Sequence, residues 1–252
     1  MRDEEREKLR VEKLREEREK NILYLLEIWK GEVLPEWESK KKSGRVKELC
    51  WKGVPSSVRE KVWPLLVGNK LRISKELFKI HSHRAIEARN KKEAEHSGED
   101  IDHEDTLNLI PVDIGRTFPH LGFFQEGGPS HEDLKNILEA YVCYRPDIGY
   151  VQGMSFVAAT LLLQMDPYNV TISYLNIHFK KIFNPEKLEK KAFVCMANMF
   201  NEAIFLSFFS FNMVNTRKYC LIFEELIQLY LPNLAKHFRE QQIKSDMYLI
   251  DW

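Results

Sequence analysis

Two short stretches of this 252-residue chain pair residue types that do phosphate chemistry: Ile110-Pro111-Val112-Asp113-Ile114-Gly115-Arg116-Thr117-Phe118-Pro119 and, further on, Tyr150-Val151-Gln152-Gly153. Hydrolysis of a bound nucleoside triphosphate needs a cation to neutralise charge building on the phosphate oxygens and a group that holds the attacking water in line. Arg116 and Gln152 are that pair of types. Asp113 stands three residues before Arg116, the spacing that puts both on one helix face, where a carboxylate can hold the guanidinium extended. Gly153 allows close approach of a partner's backbone, and Tyr150 can fix the loop through its hydroxyl. Taken singly, Arg116 reads as an ordinary helix-terminal arginine and Gln152 as a helix cap. Their joint occurrence, with an upstream Arg59-x-x-x-Trp63, is far more specific. Arg59 and Trp63 read as architecture, the tryptophan filling the core and the arginine bracing neighbouring loops.

Other chemistries lack their signatures. The chain has no G-x-x-x-x-G-K-[ST], no H-E-x-x-H and no G-x-S-x-G, so it is expected to carry no nucleotide on a P-loop and no cofactor. His81, His83, His96 and His103 straddle a helix and a loop and read as surface residues rather than a metal site. Lys+Arg and Asp+Glu are both 38, so the field of a nucleic-acid binder is missing. Cys50, Cys143, Cys195 and Cys220 are far apart and read as buried thiols in a reducing compartment.

The elements that must position the two motifs are helical, for no useful run of period-two patterning occurs. Residues 1–20 are almost entirely charged and predict a solvated helix, which from Asn21 acquires an apolar face of Ile22, Leu23, Leu25, Leu26, Ile28 and Trp29. Gly53-Val54-Pro55 followed by Ser56 or Ser57 predicts a turn and a serine cap, then a helix with Val58, Val62, Trp63, Leu65 and Leu66 inward. A helix over Ile73–Glu95 and the polar segment 97–106 follow. Pro111 suits the first turn of a short helix that Thr117-Phe118-Pro119 ends, leaving Arg116 at its tip. Ser130 is the expected cap of a helix over His131–Tyr144, and Met154–Met165 reads as a helix buried on all sides, with Gln152 at its mouth. Helices over Thr171–Phe183, Ala192–Met213 and Tyr219–His237 are expected, broken at Pro185 and Asn215.

Met1 leads directly into charge where a signal peptide would be apolar, which predicts a cytoplasmic protein. The apolar stretch Ala192–Val214 is interrupted by Asn198, Asn201, Glu202 and Asn212 and reads as core helix, not as a membrane span.

Trp51-Lys52-Gly53-Val54-Pro55 through Arg59 and Trp63, then Ile110, Asp113 and Arg116 as I-x-x-D-x-x-R, then Tyr150, Gln152 and Gly153 as Y-x-Q-G, resemble the TBC domain of Rab GTPase-activating proteins. Within that family the stretches LCWKGVPSSVREKVWPLLVGN and TLNLIPVDIGRTFPHLGFFQEGGP look most like the branch whose members are numbered twelve and fourteen. The resemblance implies an all-α fold, with a charged helical extension over residues 1–45 and a TBC domain over 46–252 that lacks its C-terminal third. It implies a GTPase activator that inserts Arg116 as an arginine finger and Gln152 as a glutamine finger into a GTP-bound Rab carrying its own GTP and magnesium, with Asp113, Tyr150, Gly153, Arg59 and Trp63 in support. Vesicle traffic, with peripheral attachment to endosomal or autophagic membranes and no transmembrane segment, is the setting it implies. The alternative of a different class is a non-catalytic Rab-binding scaffold on recycling or autophagic membranes. The stretch Asn169–Ala203 departs from the family pattern, and the family domain continues beyond Tyr248-Leu249-Ile250-Asp251-Trp252, so Phe223, Leu226 and Leu229 are expected to meet water.

Overall fold

Residues 2–94, 103–165, 185–210 and 212–249 are described by the structure, a computed structural model. Among the described residues every regular element is helical. The chain forms two compact units, one comprising the residues up to Gly68 with the end of the Met154–Met165 helix from Leu163, the other Asn69–Leu162 with the described residues from Pro185 onward.

In the first unit α1 (Arg2–Ile28) is a solvated rod, with Leu9, Val11 and Leu14 exposed among its charges. Its end and a π-helical turn, Trp29–Val33, carry Leu25, Ile28, Trp29 and Val33 into a core. Trp37 of α2 (Trp37–Lys40), Val46 and Leu49 of α3 (Gly44–Lys52), and Val58 and Val62 of α4 (Ser56–Val67) complete it. The apolar face is narrower than expected. Ile22 and Leu23 are exposed, because a helix docked by its last turns buries only the i, i+3, i+4 set that begins at Leu25. α3 has no counterpart in the sequence reading; the Ser43 hydroxyl caps it, accepting from the Val46 amide at 3.3 Å.

α4 departs from expectation at both ends. Pro55, not a serine, holds the capping position, and its carbonyl accepts from the Val58 amide at 3.0 Å, so the helix starts without a side-chain cap. Trp63 is half-buried rather than central, and Leu65 and Leu66 are exposed. Val58 and Val62 hold the inward i, i+4 stripe, and the residue after Val62 is turned about 100° from it. Arg59 donates from Nε to the Val54 carbonyl at 2.7 Å and from Nη1 to Gln164 Oε1 at 2.7 Å, with its guanidinium 5.7 Å from the Trp63 ring. Arg59→Ala leaves both acceptors without this donor and is expected to cost about 1–3 kcal/mol. Urea unfolding checks this: a lower midpoint at unchanged m-value is expected, and an unmoved midpoint would reduce Arg59 to a surface cation.

The second unit is organised around α7 (His131–Tyr144), whose Leu134, Ile137, Leu138, Ala140, Tyr141, Val142 and Cys143 are all buried. That burial exceeds one face because α5 (Lys75–Ala94), α6 (Leu109–Arg116) and α9 (Pro185–Phe200) all pack on it. Phe193 of α9 lies 4.9 Å from Phe78 and 5.9 Å from Tyr144 between ring centroids, and Phe200 lies 5.4 Å from Tyr141. Glu139 is buried beside Arg89 at 3.5 Å, and burial pushes its carboxyl above the usual range. Ser130 stands at the cap of α7 without a side-chain cap bond. α8 (Met154–Met165) has the expected bounds but not burial on all sides, since Phe156 is exposed in its first turn.

Helix bounds differ from expectation. Pro185, where a break was expected, is itself the first residue of α9, which therefore begins ahead of the expected Ala192, because the first turn needs no amide from a proline. Asn201 and Glu202 separate α9 from α10 (Ala203–Phe209). The Asn212 side chain accepts from the Asn215 amide at 3.1 Å and so starts α11 (Met213–Tyr230) where a break at Asn215 was expected. Pro232 divides the expected Tyr219–His237 helix, opening α12 (Pro232–Glu240), which precedes α13 (Asp246–Leu249). The expected helix Thr171–Phe183, His96, and the signature residues Ile250, Asp251 and Trp252 lie outside the described residues. Leu226 and Leu229 are exposed, whereas Phe223 is half-buried with its ring 5.9 Å from Tyr248.

Among the described residues no single helix is long and apolar enough to cross a membrane; Glu189–Phe200 and Ala203–Phe209 pass by composition only together and bend by 88°. Among the described residues the cysteines form no disulfide; Cys143, Cys195 and Cys220 are buried, burial pushing Cys195 up to about 12, but Cys50 is half-exposed. His81 is buried with its ring edge-on to Tyr144, against the surface reading.

Candidate functional site

Ile110 and Ile114, one turn apart, anchor α6 by burying completely, and this fixes the other face of the helix. Pro111 stands exposed in the first turn, Asp113 is 1% exposed, and Arg116 is the last helical residue with its side chain 51% exposed. The sequence therefore places a buried carboxylate one turn beneath a presented guanidinium. Arg116 donates from Nε to Asp113 Oδ1, a short charge-assisted contact. Among the described residues its two Nη groups take no hydrogen bond.

The other carboxylate oxygen of Asp113 serves the second motif. Oδ2 accepts from the Tyr150 hydroxyl in another short contact, from the Gly153 amide at 3.0 Å, and from Ser155 Oγ at 3.4 Å. One buried side chain thus ties the tip of α6 to the loop before α8. Burial opposes charge on Asp113, but the Tyr150 hydroxyl, the Gly153 amide and Arg116 outweigh it and hold the carboxyl below its usual range. Tyr150 is pushed up in turn, first by its own burial and then by Asp113.

Gln152 lies in a tight turn in which the Met154 amide reaches the Val151 carbonyl at 3.1 Å and the Phe156 amide reaches the Gly153 carbonyl at 3.1 Å. The Tyr150 amide donates to Thr106 Oγ1 at 2.8 Å, fixing the start of the loop. Gln152 is exposed, and among the described residues its carboxamide takes no hydrogen bond. Gly153 has φ +95°, a conformation open to glycine and strained for other residues, and it is this turn that aims its amide at Asp113. The glycine has a structural reason within the chain, beyond the access for a partner that the sequence suggested.

Sequence reasoning missed four residues here. Thr117 is fully buried and its Oγ1 lies 2.7 Å from the Asp113 carbonyl and 2.8 Å from Ser155 Oγ, which is also fully buried. Gln125 Nε2 donates to the Thr117 carbonyl at 3.2 Å, and Thr106 supports Tyr150. Beyond Thr117, Phe118 takes φ +44° and sets its ring edge-on to Phe156 at 5.3 Å. Arg59 and Trp63 belong to the first unit, where they brace α4. Among the described residues no group of three His, Cys, Asp or Glu could hold a metal ion.

Replacing Asp113 with Asn keeps the shape but turns an acceptor into a donor facing donors, and is expected to cost about 1–3 kcal/mol. A carboxyl whose folded pKa is depressed stabilises fully above its unfolded pKa, about 3.9, and loses that contribution as pH falls through the folded value. The gap between wild type and Asp113→Asn should therefore stay constant from neutral pH down to about 4 and close in stronger acid. Thermal melts across that range check it, and a gap that closes between pH 7 and 5 would contradict it.

The model of the Rab-GTPase-TBC domain matches residues 56–252. The chain is 40% identical over 255 residues to TBC1 domain family member 12 of Xenopus tropicalis, covering 98% of this chain and 34% of that protein. It is 40% identical over 234 residues to TBC1 domain family member 14 of Homo sapiens, covering 89% of this chain and 30% of the relative. It therefore spans about a third of the length of these relatives. Among solved structures, that of the Ypt/Rab-GAP domain of Gyp1p superposes with a TM-score of 0.57 at 19% identity, over 87% of this chain and 71% of that one, a likeness of fold.

Proposed function

Because this chain belongs to the Rab-GTPase-TBC domain family, we propose that it accelerates GTP hydrolysis by a Rab-family GTPase, supplying Arg116 and Gln152 in trans. The observation that carries this reading is the Asp113 carboxylate, which holds Arg116 Nε on one oxygen and the Gly153 amide on the other. Arg116 is thereby extended with both Nη groups free to meet phosphate oxygens, where charge grows in the transition state. Gln152, exposed beside the glycine that shares the same carboxylate, orients the attacking water with its carboxamide. The triphosphate and magnesium come with the GTPase, so the chain itself binds neither on a P-loop. A scaffold that only binds a Rab has no observation of its own in its favour, since binding alone needs neither a tethered guanidinium nor a free carboxamide.

Phosphate release from a panel of GTP-loaded Rab proteins, with and without the purified chain, tests the proposal. Stimulation of at least one member is expected. Tight binding to a GTP-loaded Rab with no stimulation of any member would overturn catalysis in favour of the scaffold.

A further inference from the structure

We propose that the hydroxyls of Thr117 and Ser155 form a positioning latch that fixes the arginine motif and the glutamine motif in one register. Its catalytic consequence rests on the function proposed above; its structural consequence does not. Thr117 follows Arg116 directly and Ser155 is the second residue after Gly153, so the pair sits immediately behind both presented side chains. Both residues are 0% exposed. Three contacts join them to the same residue and to each other: Thr117 Oγ1 with the Asp113 carbonyl at 2.7 Å, Thr117 Oγ1 with Ser155 Oγ at 2.8 Å, and Ser155 Oγ with Asp113 Oδ2 at 3.4 Å.

Each hydroxyl has one hydrogen, so at most two of these three contacts are made at any instant, and two of the three join α6 to α8. Ser155 also faces the Tyr150 hydroxyl, through both its side chain and its amide, and there it counters the upward push on that phenol. Gln125 Nε2 donates to the Thr117 carbonyl and so holds the backbone that carries the Thr117 hydroxyl. Burying two hydroxyls where valine and alanine would pack is costly unless the bonds they make are needed. The Thr117–Ser155 contact spans 38 residues of sequence and joins the two motifs a second time, beside the bonds that the Asp113 carboxylate makes to Arg116, Gly153 and Ser155. Thr117 and Ser155 touch no reactant in this scheme; they act through Asp113, Arg116 and the loop that carries Gln152.

Thr117→Val removes the hydroxyl at constant shape, Ser155→Ala removes the other at a helical position that favours alanine, and Thr117→Ser keeps a hydroxyl while losing the methyl. Amide hydrogen exchange and stimulated phosphate release are measured on all three, on the double variant Thr117→Val with Ser155→Ala, and on wild type. Each single loss of a hydroxyl is expected to speed exchange in both segments, 109–118 and 150–158, by about tenfold, the equivalent of one buried hydrogen bond, while α7 stays protected. The rate at saturating protein is expected to fall about ten- to a hundredfold at an unchanged half-saturating concentration, as misplacement rather than lost affinity requires. The double variant should be no worse than the singles, and Thr117→Ser should behave as wild type. Faster exchange confined to the substituted segment, additive losses, or a saturating rate that does not move would overturn the latch. If both segments loosen together but wild type stimulates no Rab, the latch stands and the proposed function fails.

Discussion

Arg116→Lys is expected to lose most of the stimulated hydrolysis, a drop of about 10³–10⁵-fold, the usual worth of an arginine finger. The reason lies in how the guanidinium is divided. Nε is spent on Asp113 Oδ1, which fixes the direction of the side chain, while the two Nη groups remain for the phosphate. Lysine has one nitrogen and must choose: bonded to Asp113 it does not reach the phosphate, and reaching the phosphate it leaves a buried carboxylate short of a donor. Arg116→Ala should be equally inactive. Affinity for the GTP-loaded partner should change little, because the finger acts chiefly on charge that develops in the transition state. Single-turnover hydrolysis at saturating protein, together with a binding titration, separates these terms. Near-normal turnover by Arg116→Lys would remove Arg116 from the role.

Gln152→Ala should lower stimulated turnover by about a hundredfold or more, the cost of leaving the attacking water unoriented. Since the Gln152 side chain is exposed and its carboxamide unbonded among the described residues, the melting temperature should not move. A site has room for one group that positions the water. If Gln152 is that group, a GTPase whose own switch glutamine is changed to alanine should keep a large share of the stimulation. Near-complete loss with that GTPase, combined with a mild effect of Gln152→Ala, would assign water positioning to the partner instead.

What the sequence disclosed depended on whether the signal was local. The bounds of α8 follow from an almost wholly apolar run, and the Asp113–Arg116 contact follows from i,i+3 spacing. Tyr150 was readable as an anchor, because a phenol in a loop needs a partner for its hydroxyl, but nothing in the spacing names Asp113 as that partner. Thr117 and Ser155 were invisible for the same reason: a contact between positions 38 apart leaves no periodicity. Errors in the fold came from residues with two uses. Pro185 was expected only as a break between helices and also starts α9, and Asn215 was expected at a break that Asn212 makes one turn earlier. Trp63 was assigned to the core on hydrophobicity alone, although Val58 and Val62 already fill the inward stripe.

The bond between the Gly153 amide and Asp113 closes a loop of 40 residues that contains the whole of α7. Such a closure carries a chain-entropy cost that local helix formation does not offset, so it is made only once α7 is seated and holds the two ends near each other. The order of events during folding follows from this. Helices, whose contacts are local, are expected to form before this closure, and the Arg116–Gln152 surface is complete only once it is made. A population of chains caught before that step would look compact and helical by spectroscopy and yet present no site, so activity per molecule is a more stringent measure of correct folding for this protein than helix content.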